Sequence, residues 1–351
     1  MLYSSIVTPT NPVAAEGQQQ DVSQLQEKLA GQAVIGQKFG TFTGVFTPTL
    51  LTILGVIMYL RLGWVVGNAG FPGGWLIILI ACTITTCTGL AMSPATTNIR
   101  IGAGGAFSII SQSLGLEAGG SVGITHYLSQ SLAVAMYIFG FREGWMWIFP
   151  HHNALAVDMI TFLALFALAY VAVFFPAVTG IVAGANMSGD LKDPRRSIPI
   201  GTMTAIAVSS FVYLVLAYWL ARTATPQELV SNYTIMIDRA AWRPVVLAGL
   251  LGATFSSGLA SLAGAPRILF AWGDHRILPQ GAWFAQQSAK GEPRNATWIA
   301  GGIILLALLI RDLNAIAPLI SLFFLIPYGM IEESRASCAF LLASGEESSL
   351  A

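Results

Sequence analysis

The chain has 351 residues, 55% of them hydrophobic and only 10% charged, with 17 basic and 17 acidic side chains and no formal net charge. A soluble domain carries about 25% charged residues, so too few charges remain to clothe a water-facing surface, and a soluble enzyme is excluded. Neutrality offers no basic face to nucleic acid and no acidic face to a basic partner. The 36 glycines suit helices packed closely in a bilayer.

The first 40 residues are polar, with Gln18-Gln19-Gln20 and mixed charges. They lack the basic start and short apolar core of a secretory signal, and read as a cytoplasmic tail. A helix needs about 20 apolar residues to cross the hydrocarbon. Such runs fall near 44–66, 75–97, 119–141, 154–185, 200–221, 245–272, 297–310 and 315–331, about eight spans in all. The fourth is unusually long and carries Pro176; the last two are short. Segment 98–105 is rich in glycine but has no Lys-Ser/Thr ending, so it reads as a link or kinked helix rather than a phosphate cradle. The densest charge cluster, Asp190 to Arg196, follows the fourth run.

With the N-terminus inside, Lys38, Arg100, Lys192, Arg195, Arg196, Arg276, Lys290 and Arg294 all fall on the cytoplasmic side. Arg142, Arg239, Arg243 and Arg311 fall outside, and that bias sets the expected orientation. The expected organisation is a tail over 1–40, a transmembrane domain over 41–331 and a short tail over 332–351.

Enzymatic constellations are missing from the pattern: there is no HExxH, no paired carboxylates on one helix face and no recognisable nucleophile triad. Cys82, Cys87 and Cys338 form no CxxC and read as small buried hydrophobes. His151-His152, between Pro150 and Asn153, reads as a solvated loop pair rather than a metal site. Asp158, at the start of an apolar run, is either a functional intramembrane acid or an interfacial helix charge.

Ions can be bound in a membrane without charged side chains where a helix breaks, because the break frees carbonyls for a cation and amides for an anion. Gly or Pro inside an apolar span marks the candidates. One is 50–58, centred on Gly55; a second is 175–186, with Pro176, Gly180 and Gly184. A third is 253–257, where Ser256-Ser257 offers adjacent hydroxyls. The competing readings are ordinary small-residue packing for the first two and serines bonding back to their own helix for the third.

Together these stretches resemble the cation-chloride cotransporters of the amino acid-polyamine-organocation superfamily. The matching residues are Leu54-Gly55-Val56-Ile57-Met58-Tyr59-Leu60-Arg61-Leu62-Gly63-Trp64 and Ala135-Met136-Tyr137-Ile138-Phe139-Gly140-Phe141. Phe174-Phe175-Pro176-Ala177-Val178-Thr179-Gly180 also matches, and the most specific stretch is Gly184-Ala185-Asn186-Met187-Ser188-Gly189-Asp190-Leu191-Lys192-Asp193-Pro194. Ser256-Ser257, Ala265-Pro266-Arg267 and Ile316-Ala317-Pro318 extend the likeness over roughly 39–330.

The resemblance implies an all-α, leucine-transporter-type broken-helix fold in the plasma membrane. It implies symport of chloride with potassium, sodium or both, with no cofactor, no metal beyond the transported alkali cations, and the lipid bilayer as partner. A homodimer is left open. A potassium-type site would use the carbonyls of Thr52, Ile53 and Pro176 with the hydroxyls of Tyr137 and Thr179. One chloride would meet the amides of Gly55, Val56 and Ile57. A second would meet the amides of Gly180, Ile181 and Val182 with the Tyr328 hydroxyl. A sodium-type site would use the carbonyls of Leu51, Leu54 and Ala253 with the hydroxyls of Ser256 and Ser257.

The chain departs from the family pattern between Phe141 and Phe174, where about two spans are expected to be missing, near four and five, and again after Tyr328, where spans eleven and twelve would follow. The fourth run then reads as a remnant of span four fused to span six. An amino-acid permease of the same superfamily and a non-transporting product or partner subunit are the alternative readings.

Overall fold

A computed structural model describes residues 40–98, 105–171, 193–278, 280–287 and 293–344. Every named element in them is helical, and one isolated bridge, Gln287 to Pro293, is the nearest approach to a strand. Of the sequence-derived site residues, Pro176, Thr179, Gly180, Ile181 and Val182 lie outside the described residues, as does most of 98–105.

The first span begins with a π-helical turn, Phe42–Phe46, and continues as α1 (Thr47–Ile53) and α2 (Val56–Leu60). It runs on into α3 (Leu62–Asn98), which kinks at Gly70, where φ is 68° and ψ 171°. Only glycine enters that region freely, and open space surrounds it. The backbone conformation therefore demands the glycine, and the chain changes direction there between the first and second spans. The next helices are α4 (Ala106–Leu114), α5 (Leu116–Ile148) and α6 (Ala154–Val171). After them come α7 (Pro194–Thr223), the short α8 (Pro226–Ser231) and α9 (Ile235–Arg239), and α10 (Arg243–Asp274). The last are α11 (Gly281–Phe284), α12 (Arg294–Leu308) and α13 (Leu313–Ser344).

Among the described residues, five helical stretches are long and apolar enough to cross a membrane: 42–60, 62–93, 196–223, 243–274 and 313–334, with two shorter apolar helices at 154–169 and 294–308. The fold is that of an all-helical, multi-pass membrane protein. Large apolar side chains such as Leu76, Phe211, Ile160, Leu306 and Leu322 point outward, as a bilayer requires. Cys82 is half-buried and Cys87 exposed. The expectation that the cysteines are core hydrophobes is corrected for Cys87: an apolar side chain on a membrane helix is as much at home against lipid as inside.

α5 is the hub. It packs against α2, α4, α6, α10, α12 and α13. At 33 residues it is about 50 Å long by the helical rise, well beyond the 119–141 expected from hydropathy. Because it meets protein rather than lipid, it carries buried polar residues such as His126, Ser129, Gln130 and Ser131. The hydroxyls of Ser129 and Ser131 bond back to their own helix, which satisfies them without a partner span.

Asp193 caps α7 by accepting from the Arg196 amide, and Pro194 occupies the first turn, where its missing N–H is harmless. Thr225 and Glu228 form a capping box on α8. The Thr225 amide and hydroxyl hold the exposed Glu228 carboxyl below the usual carboxylate range. The small stability it adds is therefore present above the ordinary glutamate pKa and lost as pH falls through its lowered one. His151 and His152 lie in an exposed turn, where His152 accepts from the Trp145 indole, so they form a loop pair as read from sequence.

Two close approaches lock the first span to α5. A Cβ at Gly140 would overlap the Val56 side chain and lie 3.1 Å from Thr254 Cγ2, so α2, α5 and α10 meet where no side chain fits. Beyond α2, Arg61 is buried and turned inward. Its guanidinium donates to Glu143 of α5 at 2.9 and 3.2 Å and to Asn314 of α13 at 2.7 Å. It also lies 3.9 Å from the centre of the Tyr233 ring in the α8–α9 connection. A second pair, Arg142 to Asp158 at 2.7 Å, ties α5 to α6.

Gly140→Ala is expected to destabilise the protein by about 1–3 kcal/mol through overpacking. Gly252→Ala, whose new Cβ meets nothing within 4 Å, should be neutral or slightly stabilising. Thermal unfolding of detergent-purified protein compares the two, and equal melting temperatures would contradict the packing argument. A double-mutant cycle on Arg61→Gln and Glu143→Gln should return a coupling of roughly 1–3 kcal/mol, because each single change strands a partly buried charge.

Candidate functional site

Residues 50–62 hold two apolar stretches separated by glycine. α1 stops at Ile53 because the next two residues leave helical geometry: Leu54 has ψ 38° and Gly55 has ψ −151°. α2 restarts at Val56 with Gly55 as its N-cap. The interruption is where the mid-span glycine placed it. A Cβ on Gly55 would lie 2.8 Å from the Thr52 carbonyl oxygen, so a larger residue forces the break to shift.

A break leaves the last carbonyls of one helix and the first amides of the next without intrahelical partners. At the α1 end, the Leu54 amide still donates to Leu50. The carbonyls of Leu51, Thr52 and Ile53 follow beyond that bond. At the α2 end, the Met58 amide donates to the Gly55 carbonyl at 3.2 Å. That leaves Gly55, Val56 and Ile57 to present the first-turn amides. The Thr52 hydroxyl donates to Pro48 within its own helix.

Three other helices close on this break. α5 brings Tyr137, whose ring edge would lie 3.5 Å from a Gly55 Cβ. α7 brings Tyr213, whose hydroxyl donates to the Ile53 carbonyl at 2.9 Å. α10 brings Ser257, which is buried; its hydroxyl makes no well-formed hydrogen bond and sits beside the Tyr137 phenol. On α13, Tyr328 packs against the same buried apolar cluster as Ile53. The phenols of Tyr137 and Tyr213 and the Ser257 hydroxyl thus gather around an interrupted helix. Oxygen ligands of this kind suit a hard monovalent cation, and first-turn amides suit an anion.

The sequence-derived set is brought together in part. Thr52, Ile53, Gly55, Val56, Ile57 and Tyr137 meet at the break, while Tyr328 lies on α13 against the same buried cluster as Ile53. Leu51 and Leu54 flank the break, and α10, with Ala253, Ser256 and Ser257, packs on α1 and α2. Ser256 bonds back to the Ala253 carbonyl at 3.2 Å, the alternative foreseen for it, whereas Ser257 does not. Asp158, 1% exposed, is committed to Arg142 and lies in a cavity of about 780 Å³ beside Arg311, Asn153 and Tyr233. Sequence reasoning missed Tyr213. Its one visible signal is a tyrosine in the middle of the apolar run 200–221.

The amino acid permease family matches this chain over residues 44–173 and again over 148–333. The two matches overlap over residues 148–173, the first part of the run 154–185 that reads from sequence as a remnant of span four fused to span six. Solute carrier family 12 member 2 of Homo sapiens is 31% identical over 414 residues, covering 85% of this chain and 34% of that protein. The same member from Squalus acanthias is 31% identical over 410 residues, again 85% and 34%. Solute carrier family 12 member 1 of Mus musculus is 30% identical over 421 residues, covering 88% and 38%. The chain therefore spans about a third of the length of these relatives. Each alignment is longer than the chain's own 351 residues, so the relatives carry internal segments that this chain lacks. The chain belongs to the amino acid permease family of helical membrane transporters, and its relatives within that superfamily are the solute carrier family 12 cation-chloride cotransporters.

Proposed function

We propose that this chain is the ion-handling unit of a secondary transporter that moves chloride together with potassium, sodium or both. The observation that carries the reading is the interruption of the first span at Leu54–Gly55, with Tyr137 set against it. The potassium-type cation is assigned to the carbonyls of Thr52, Ile53 and Pro176 and the hydroxyls of Tyr137 and Thr179. One chloride is assigned to the amides of Gly55, Val56 and Ile57. The other is assigned to those of Gly180, Ile181 and Val182 with Tyr328. Sodium is assigned to Leu51, Leu54, Ala253, Ser256 and Ser257.

Coupling follows from electrostatics. Cation carbonyls and anion amides sit on the two sides of one short break. Opposite charges a few ångströms apart attract far more strongly there than in water, so each ion raises the affinity for the other. A bound pair is neutral, and a neutral load crosses hydrocarbon without the cost of an isolated charge. In the proposed orientation the N-terminus is cytoplasmic, and the Arg61–Glu143 pair with Asn314 and Tyr233 seals the outer side of the break in the plasma membrane. No cofactor is required by this scheme. One alternative keeps support of its own: the internal segments present in the relatives and missing here favour a non-transporting partner subunit.

Purified protein in proteoliposomes is expected to show chloride-dependent rubidium uptake and no uptake of labelled amino acids. Amino-acid uptake instead would move the assignment to a permease, and no flux from a folded, monodisperse sample would favour the partner-subunit reading. Ser257→Ala is expected to abolish sodium-dependent chloride uptake. If wild-type uptake is unchanged when sodium is removed, the sodium assignment fails.

A further inference from the structure

The carbonyl at the end of α1 is held from outside its own helix. In an unbroken helix the amide of residue 57 would bond the Ile53 carbonyl. Here the chain turns away at Leu54 and Gly55, and that bond is replaced by the Tyr213 hydroxyl of α7 at 2.9 Å. A carbonyl oxygen has two acceptor positions. Tyr213 fills one from the α7 side, where a cavity of about 270 Å³ separates it from the second half of α3. The other is taken by no backbone amide among the described residues.

Nearby hydroxyls do not duplicate this contact. Ser209 and Ser210, on the same helix and lining the same cavity, both donate to Ile206 within α7. Tyr213 is alone among them in reaching across to the first span. The Leu54 amide of the same peptide unit donates to Leu50, so that plane is tied to α1 at its nitrogen end, and the Tyr213 hydroxyl holds its carbonyl end where the α2 amide no longer does.

We propose that Tyr213 is a positioning residue for the transported cation, acting through the Ile53 carbonyl rather than as a ligand. The inference rests on the cation site assigned above. Removing the hydroxyl leaves the carbonyl tethered only through the Leu54 amide, so its oxygen is less sharply oriented and a cation must order it on binding. The effect falls on cation affinity, while the amides of α2 that are assigned to chloride keep their geometry. The loss of one hydrogen bond of ordinary strength corresponds to about a three- to tenfold change in a binding constant.

The test uses full-length protein in proteoliposomes, with rubidium and chloride each varied at saturating concentrations of the other. Tyr213→Phe is expected to raise the KM for rubidium about three- to tenfold. The chloride KM, maximal rate and melting temperature should stay close to wild type. Ser210→Ala, which removes a hydroxyl from the same cavity wall, should change none of these. Rubidium-dependent thermal stabilisation of the detergent-purified protein should weaken in Tyr213→Phe by the same factor, giving a binding readout independent of flux. An unchanged rubidium KM, or equal rises for rubidium and chloride, overturns the positioning role while leaving the transport reading intact. A wild-type protein with neither rubidium uptake nor rubidium stabilisation overturns the transport reading and this inference with it. If Tyr213→Phe does not fold, Tyr213→Leu takes its place under the same criteria.

Discussion

Inside a bilayer a main-chain amide or carbonyl has no water to turn to, and each one left unpaired costs several kcal/mol. A helix interrupted there must be surrounded by groups that replace the lost bonds, whether protein or ligand. The interruption at Leu54–Gly55 makes that demand on this fold. Tyr213 answers it at Ile53, and Tyr137 and Ser257 bring polar atoms to the remainder. Filling the space with aliphatic side chains would suit the lipid-facing helices, but would leave the freed backbone without partners.

The requirement explains the central position of α5. A break is soft, since five helical residues, Val56–Leu60, have little stability alone. It is held by a rigid neighbour: Gly140 lets α5 approach until Val56 fills the gap, and Glu143, one turn further on, takes the Arg61 guanidinium. Both contacts act on α2 from one helix, one by shape and one by charge. Tyr137, one turn before Gly140, then falls beside Gly55 by the periodicity of the helix alone. The spacing Tyr137, Gly140, Glu143 is therefore the register in which α5 reads the broken span.

Much of this was legible in the sequence, for identifiable reasons. A glycine inside an apolar run, with a motif around it, marks a break, because glycine weakens a helix where little else does. The family likeness named Tyr137, which lies beside Gly55, and Tyr328, which sits on α13 against the same buried cluster as Ile53. Tyr213 was invisible because a lone tyrosine in an apolar helix carries no periodic mark, and its partner is a carbonyl 160 residues away. The exposure of Cys87 was misread because hydropathy does not distinguish lipid from protein interior. The length of α5 was underestimated for the complementary reason. A span enclosed by other helices tolerates polar residues that hydropathy scores as an end.

α6 shows how a shortened chain keeps a closed core around the break. It packs on α5, α10 and α12, placing Leu165 close to Gly258 and Phe166 under Gly301, with Asp158 bonded to Arg142. The Leu165 contact falls one residue after Ser257, on the helix that also faces Tyr137. A single helix thus braces α10 from behind, while α5 and α10 together face the first span. The two family matches overlap over residues 148–173, which include α6. What matters to the site is that α10 stays pressed against α1 and α2, so that Ser257 remains beside Tyr137.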